Sequence, residues 1–247
     1  MNDKLFILGV QKSGTSAIAG LLGDAFGIPT TLDLNGAISS SDWQLKVKFG
    51  LMPFKEFVDS HTDDFNRTIV KEPCLTFFAQ ELEETFPEAK FLVVLRHPYE
   101  VVRSTLQRLK IPAHLESIKF EEWEELVKTK AWRLCLDSTW LGQPSSNYIE
   151  ALAWRWKISC DLQKVLPTAK FIRYEDFKEN REAFISNLGI DLGLGQKVVK
   201  ALDYNKQYQP KGKQVSGWSD YFGENIKLIN RICGENMELL GYHQVSS

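Results

Sequence analysis

The sequence predicts an α/β fold: one domain with a mainly parallel β-sheet, flanked by helices on both faces in a three-layer sandwich. Short apolar runs alternate with stretches of helical periodicity along the chain. The apolar runs lack polar–apolar alternation, and polar or glycine-containing turns follow them. Strands of this kind, joined through helices, are typical of parallel sheets that are buried on both faces.

The first half of the chain contains three strand–helix units. The run LFILG at 5–9 predicts a buried strand, and the apolar helix TSAIAGLLGDAF follows it. RTIVKEP at 67–73 predicts a second strand, with a helix over about 75–85. KFLVVLRHP at 90–98 is the clearest strand, and Pro98 stands where the helix YEVVRSTLQRL begins.

The second half continues with fewer strands. Residues 119–142 and 147–166 predict two helices, and AKFIRYEDF at 169–177 predicts a further strand. A loop over 203–220 then leads to an amphipathic terminal helix within 224–242. The chain shows no repeat, low-complexity segment or long linker, so we expect a single domain.

Composition limits the classes of function. The 247 residues are 43% hydrophobic and 25% charged, as in a globular protein with material for a sizeable core. The net charge of −2 argues against general polyanion binding, so no nucleic-acid partner is expected. The four cysteines form no C-x-x-C pair, and no signal peptide or membrane-length apolar run is visible. These features predict a cytoplasmic protein without an integral membrane segment.

The turn after the first strand, GVQKSGTS, has nearly the outline of a phosphate-binding loop. Gly9, Gly14 and Ser16 match the pattern G-x-x-x-x-G-K-[ST]. Thr15 replaces the lysine, however, and Lys12 lies three residues earlier. Glycines that permit tight turns, followed by a helix N-terminus, predict a pocket for a small anion. The alternative is an ordinary strand–turn–helix connection with a surface lysine.

This loop resembles the 5′-phosphosulfate-binding loop of the sulfotransferases that use 3′-phosphoadenosine 5′-phosphosulfate (PAPS), whose loops have the character K-[SAG]-G-[TS]-[ST]. The resemblance implies that Lys12 stabilises charge on the phosphate oxygen as the sulfuryl group leaves. It also implies that the donor is held by Lys12, Ser13, Gly14, Thr15 and Ser16. We add the neighbouring Gln11 to this set.

A second anion site is expected at a later strand end. Members of the family bind the donor's 3′-phosphate with an arginine at a strand end and a serine eight residues on, and Arg96 and Ser104 have that spacing. Structural roles for both residues are the alternative. Arg103 is left open, with an ordinary surface position as one interpretation. The resemblance further implies that the basic loop Lys211, Gly212 and Lys213 joins this site, unless it is simply solvated.

VKEP at 70–73 resembles the K-[DE]-P that follows a middle strand in many bacterial sulfotransferases. The resemblance implies that Lys71 and Glu72 face the place where donor and acceptor meet. Glu72 is the first candidate for the base that takes the acceptor's proton, and an ion pair with Lys71 or a helix-start carboxylate is the alternative. Three other bases remain open: Asp42, His61 and His114.

FIRYEDF at 171–177 also resembles the family, and we interpret Tyr174, Glu175 and Asp176 as structural, through hydrogen bonding and capping of the next helix. The segments 28–65 and 110–146 are expected to shape the acceptor pocket. Their aromatic residues are compatible with a sugar, a lipid or a small alcohol, or with core packing: Trp43, Phe49, Phe54, Trp123, Trp132 and Trp140.

The predicted function is transfer of a sulfuryl group from PAPS to an acceptor hydroxyl on a small molecule or glycan, with 3′-phosphoadenosine 5′-phosphate (PAP) as product and no metal required. A P-loop kinase or NTPase is one alternative, although it needs a lysine after the second glycine and an acidic magnesium ligand. A non-catalytic nucleotide-binding module is the other, and it needs no Lys12. The sequence predicts neither the acceptor's identity nor the oligomeric state.

Overall fold

The sheet is parallel throughout, as predicted. The computed structural model describes residues 4–37, 42–118, 127, 130–196, 198, 202–210 and 212–245. The strand order is β2-β3-β1-β4-β5, and each neighbouring pair is parallel. The strands are β1 (Leu5–Leu8), β2 (Thr30–Thr31), β3 (Ile69–Lys71), β4 (Lys90–Leu95) and β5 (Lys170–Arg173).

Helices connect these strands and extend the chain beyond them. Two 3₁₀ helices cover Pro73–Phe78 and Thr139–Leu141. The α-helices are α1 (Thr15–Phe26), α2 (Trp43–Lys48), α3 (Phe54–Ser60), α4 (Thr62–Phe65), α5 (Ala79–Thr85), α6 (Pro98–Leu109), α7 (Lys130–Arg133), α8 (Tyr148–Val165), α9 (Tyr174–Glu179), α10 (Arg181–Asp191), α11 (Trp218–Phe222) and α12 (Asn225–Leu239).

Both faces of the sheet are buried, which explains the unalternated strand sequences. Successive side chains of a strand point to opposite faces. Leu5 and Ile7 of β1 join one core cluster with apolar residues of α1 and α10. Phe6 lies on the other face, where its ring is 5.1 Å from that of Phe86 and 5.7 Å from that of Phe91. A three-layer α/β arrangement follows, as the sequence predicts.

The chain forms two compact units. The first contains the whole sheet and comprises Met1–Asn35, Met52–Arg96 and Leu162–Pro210. The second comprises Gly36–Leu51, His97–Asp161 and Lys211–Ser247. It has buried side chains of its own, among them Tyr99, Trp156 and Phe222. A single domain over the whole chain stays a prediction.

Three predicted elements need correction. The helix predicted over 119–142 is not continuous, because within its described residues only α7 and a 3₁₀ turn are helical. The Asp137 carboxylate accepts from both the N–H and the hydroxyl of Thr139, and such local hydrogen bonds compete with helix. The strand predicted over 169–177 ends at Arg173, where α9 takes over. Strand β2 lies inside 28–65, a segment for which the sequence analysis predicts no strand.

No helix among the described residues could cross a membrane. Every helix there falls short of the length or the hydropathy that a bilayer span requires.

Candidate functional site

The loop between β1 and α1 is a tight turn. Its backbone has positive φ at Gly9 (134°), Lys12 (71°) and Gly14 (104°). The N–H and the hydroxyl of Ser13 both donate to the carbonyl of Val10, at 3.1 and 2.7 Å. A positive φ strains lysine far more than glycine, so this packed turn holds Lys12 in a costly conformation.

Close packing explains both glycines. A Cβ on Gly9 would lie 2.5 Å from the carbonyl oxygen of Val94 in β4. A Cβ on Gly14 would lie 2.1 Å from the ring of Tyr174. Neither position has room for a side chain, so the loop is held against β4 and against the ring that follows β5.

The start of α1 has the properties of an anion site. The first N–H groups of a helix have no acceptor within it, and the helix dipole makes that end positive. Thr15 and Ser16 open the helix and are buried. The structure describes the whole of α1, and its first turn contains no acidic side chain. A phosphate or sulfate group therefore suits this place.

Arg96 lies against the same loop. Its Nη1 donates to the carbonyl of Lys12 at 3.0 Å, and its guanidinium lies 4.9 Å from the centre of the Tyr174 ring. Tyr174 therefore contacts both Gly14 and Arg96 and links the two predicted anion-binding elements of the first unit. Sequence reasoning placed Arg96 correctly at the strand end, but it missed this contact.

The capping role predicted for Tyr174, Glu175 and Asp176 is wrong. All three residues lie inside α9, whose N-cap is Arg173 and has no side-chain cap. The following helix, α10, is capped by Asn180 instead. The start of α9 at Tyr174 directs its ring toward the loop, a placement that depends on contacts between segments distant in sequence.

The 202–210 segment packs along α1. The Tyr208 ring occupies the space above Gly20, where a Cβ would lie 2.2 Å from the ring. The Tyr208 hydroxyl donates to Asp24 at 2.6 Å, and burial together with that carboxylate raises the pKa of Tyr208. At its end, the carbonyl of Pro210 lies 3.5 Å from Lys12 Nζ. The packing of this segment thus brings a main-chain acceptor to the loop's lysine.

The end of β3 holds a partly buried ion pair, and the residue after it is a buried carboxylate. Lys71, 2% exposed, donates to Asp33 at 2.6 Å. Glu72 caps the 3₁₀ helix by accepting from the N–H of Cys74 at 3.0 Å, and it accepts a further main-chain hydrogen bond from Leu34. Burial raises the pKa of Glu72, although Lys71 and the main-chain hydrogen bonds act to lower it.

Asp33 is the residue that the sequence analysis missed here. Its position follows β2, the two-residue strand that a turn-rich composition concealed. Of the two alternatives offered for Glu72, the helix-start carboxylate describes its contacts, while the ion-pair partner of Lys71 is Asp33.

The other candidate bases have local partners. His61 Nδ1 lies 3.0 Å from the carbonyl of Phe57. Asp42 is paired with Lys46 at 2.9 Å, and the hydrogen bond from that lysine lowers the pKa of Asp42, which weakens it as a base. His114 lies next to Gly223: a Cβ added to that glycine would lie 3.5 Å from the Cβ of His114.

The second unit holds the remaining predicted donor residues. Ser104 is buried in α6. Arg103 is also buried and donates to the carbonyl of Lys213, so the surface interpretation of Arg103 is wrong. Gly212 packs against α6 beside them. Lys211 lies outside the described residues.

The residues predicted for the acceptor pocket differ in exposure. Phe49 is 65% exposed, whereas Trp123 lies outside the described residues. Trp43, Phe54 and Trp140 are buried, as core packing requires. Within the described ranges, no three His, Cys, Asp or Glu side chains gather as metal ligands. The four cysteines are buried free thiols.

Comparison with known proteins identifies the fold. Neither the protein-family profiles nor the curated protein sequences contain a match. The structure is similar to a sulfotransferase from Alicyclobacillus acidocaldarius, with a TM-score of 0.53 and 17% identity over 98% of this chain and 97% of that one. The sulfotransferase domain from the curacin biosynthetic pathway matches with a TM-score of 0.51 and 15% identity over 99% of both chains.

A third similar structure is mouse sulfotransferase SULT7A1 complexed with PAP. Its TM-score is 0.52, with 16% identity over 96% of this chain and 85% of that one. The chain therefore has the sulfotransferase fold over nearly its whole length. This confirms, at the level of the fold, the resemblance that the loop motifs predict.

Proposed function

We propose that this protein is a sulfotransferase that moves a sulfuryl group from PAPS to an acceptor hydroxyl. The observation that carries the proposal is the contact between Arg96 and the loop residue Lys12, whose carbonyl accepts from Arg96 Nη1 at 3.0 Å. The Arg96 guanidinium thus lies against the loop that leads into the positive end of α1, and β4 and β1 before them are neighbours. Ligands of open parallel sheets bind beyond these carboxyl ends.

The 5′-phosphosulfate is assigned to the loop and the start of α1. Main-chain N–H groups and the hydroxyls of Thr15 and Ser16 surround the anion, together with Gln11 and Gly14. Ser13 contributes by shaping the turn, because its hydroxyl donates to Val10. As the sulfuryl group leaves, negative charge grows on the 5′-phosphate, and the Lys12 ammonium stabilises it.

The 3′-phosphate is assigned to Arg96, whose guanidinium can bind two phosphate oxygens at once. Ser104 and the basic loop of Lys211, Gly212 and Lys213 complete the proposed set. The PAP in the mouse relative's complex supports a 3′-phosphorylated nucleotide as the ligand of this fold.

The proposed chemistry is an in-line displacement at sulfur. The acceptor oxygen forms a bond to sulfur while the bond from sulfur to the 5′-phosphate oxygen breaks, and its electron pair leaves with PAP. The hydroxyl proton passes to Glu72, directly or through one water. A carboxylate whose pKa is raised by burial is a better base near neutral pH than an exposed one.

Thermal unfolding with three nucleotides tests the proposal. A ligand at about 100 times its dissociation constant adds about 2.7 kcal/mol of stability. We expect PAP to raise the unfolding temperature, and ADP and ATP–magnesium to do so much less. A shift with ATP–magnesium and none with PAP would favour a phosphoryl-transfer enzyme.

A turnover assay then separates an enzyme from a binding module. The protein is incubated with PAPS and mixtures of small alcohols and glycans, and PAP release is followed. Acceptor-dependent release supports the transferase. Tight PAP binding without release for any acceptor class favours the non-catalytic module.

A further inference from the structure

Arg103 is a buried arginine in α6 whose hydrogen bonds lead to a distant segment. It is 2% exposed, and its Nη1 donates to the carbonyl of Lys213, 110 residues later in the chain. Its Nη2 donates to Glu100 at 2.6 Å, one turn earlier in the same helix. All of these residues belong to the second compact unit.

Gln107 reinforces the same attachment. Its Nε2 donates to the Lys213 carbonyl at 3.0 Å, so this one carbonyl accepts from two side chains of α6. The Gly212 backbone comes so close that a Cβ there would lie 2.3 Å from Gln107 Oε1 and 3.4 Å from Arg103 Nη1. The segment at 212–213 is therefore fixed to one side of α6.

Stability alone does not account for this arginine. Among the described residues, Arg103 Nε is buried and has no hydrogen-bond partner. A buried donor without a partner is unfavourable, and an apolar side chain of similar size would avoid that cost. The hydrogen bond from Arg103 to the Lys213 carbonyl offers a reason for its presence.

We propose that Arg103 and Gln107 are positioning residues that fix Gly212 and Lys213 to α6 and thereby set the affinity for the donor's 3′-phosphate. The inference rests on the proposed function, because Ser104 of α6 and Lys213 are both assigned to that phosphate. A loop held in its binding conformation loses less entropy when the ligand binds. Arg103 need not touch the nucleotide to have this effect.

The test compares PAP with adenosine 5′-phosphate, which lacks the 3′-phosphate. Both affinities are measured by calorimetry for the wild type and for Arg103→Met. We expect the variant to bind PAP about tenfold more weakly, which corresponds to about 1.4 kcal/mol. Its affinity for adenosine 5′-phosphate should stay within about twofold of the wild type, because the 5′ end of the nucleotide binds elsewhere.

Gln107→Leu is the second variant, in case Arg103→Met folds poorly. It removes one of the two hydrogen bonds to the Lys213 carbonyl without changing the charge. We expect the same selective loss of PAP affinity, smaller in size. Hydrogen exchange of the 212–216 segment should also become faster in both ligand-free variants, because the loop opens more often.

Arg155→Met is the matched control. Arg155 is also 2% exposed in the second unit, and its Nη1 donates to a main-chain carbonyl, that of Leu134, at 3.3 Å. Its guanidinium lies over Trp140, 5.8 Å from the centre of the ring. We expect this variant to be less stable while its ratio of PAP to adenosine 5′-phosphate affinity stays that of the wild type.

The outcomes separate the two proposals. A wild type that binds both nucleotides equally overturns the proposed function and the positioning role with it. A wild type that prefers PAP, together with an Arg103→Met variant that keeps this preference, overturns the positioning role alone. Equal losses for both nucleotides, as expected of general destabilisation, also overturn it.

Discussion

The two edges of the proposed reaction site are built in different ways. Beyond β1, β4 and β5, main-chain groups and packed rings form the site: the loop backbone closes on itself, and Tyr174 fills the space between Gly14 and Arg96. Beyond β2 and β3, the site depends on charged side chains, with Lys71 paired to Asp33. The first edge is proposed for the donor, and the second for the acceptor's proton.

The two edges should therefore respond differently to substitution. At the first edge, an added side chain meets closely packed backbone and rings. At the second edge, a substitution breaks a pair of opposite charges. The comparison therefore predicts that substitutions at the first edge affect donor use, whereas substitutions at the second affect stability and pH dependence.

Lys12→Ala should have the largest effect. Removing one preorganised charge donor typically costs 10²–10³-fold in turnover, and we expect a loss of about that size with PAPS. Lys110→Ala is the control, because Lys110 is the other described lysine with positive φ, at 59°. Turnover at the wild-type level in the Lys12 variant would show that Lys12 does not stabilise the leaving group.

Gly14→Ala should disrupt the donor edge through packing. The added Cβ meets the Tyr174 ring and also stands at a φ of 104°, so we expect about 3 kcal/mol of destabilisation and a loss of PAP binding. Gly142→Ala is the matched control, with a φ of 75° and open space around it. In that variant, backbone strain alone should lower the free energy of unfolding, measured by urea denaturation, by about 1 kcal/mol. Equal costs would show that contact with Tyr174 is unimportant.

Asp33→Asn tests the acceptor edge. It leaves the ammonium of Lys71 buried without its carboxylate partner, and because Asp33 is 34% exposed we expect a moderate loss of about 2 kcal/mol. The double variant Asp33→Asn with Lys71→Met should recover part of that stability. PAP affinity should change little in either protein. A large loss of PAP affinity would mean that the two edges are not independent.

Glu72→Gln should have the smallest effect on stability. The effect should appear as a difference between wild type and variant that changes with pH. The raised pKa means that folded Glu72 keeps its proton at pH values where the unfolded chain, with an ordinary value of 4.5, has released it. Wild-type stability therefore falls relative to the variant as pH rises from that value through the folded pKa. The variant should also lose the acid limb of the wild-type pH–rate profile if Glu72 is the base.

Glu150→Gln gives a control of opposite sign. Burial acts to raise the pKa of Glu150, but hydrogen bonds from Ser146 and the Arg231 partner lower it overall. The wild type should therefore gain stability relative to this variant as pH rises through the acid range. Urea unfolding at several pH values measures both slopes, and slopes of the same sign would contradict the assignment for Glu72.

Elements set by local sequence were predictable. Helix α1 matches its predicted residues, Thr15–Phe26, and α8 and β4 lie within a few residues of their predicted ends. The loop's glycines and Lys12 were also visible, because their spacing is itself the motif. Strong local periodicity, and the glycine spacing that a tight main-chain turn requires, can be recognised in the sequence itself.

The remaining features depend on contacts between distant segments. Tyr174 contacts a glycine that precedes it by 160 positions, and Lys71 finds its partner after a strand of only two residues. The role of Arg103 stayed open because its acceptor, the Lys213 carbonyl, lies 110 residues later in the chain. No pattern within one window of sequence shows such pairings.

The packing of Tyr208 on α1 has a consequence for biosynthesis. Tyr208 and its partner Asp24 are 184 residues apart, so α1 leaves the ribosome long before the segment that covers it exists. Contacts of such separation form late and slow the folding of a chain. During translation, the space above Gly20 stays open, and the loop between β1 and α1 reaches its final surroundings only after the 202–210 segment has been made.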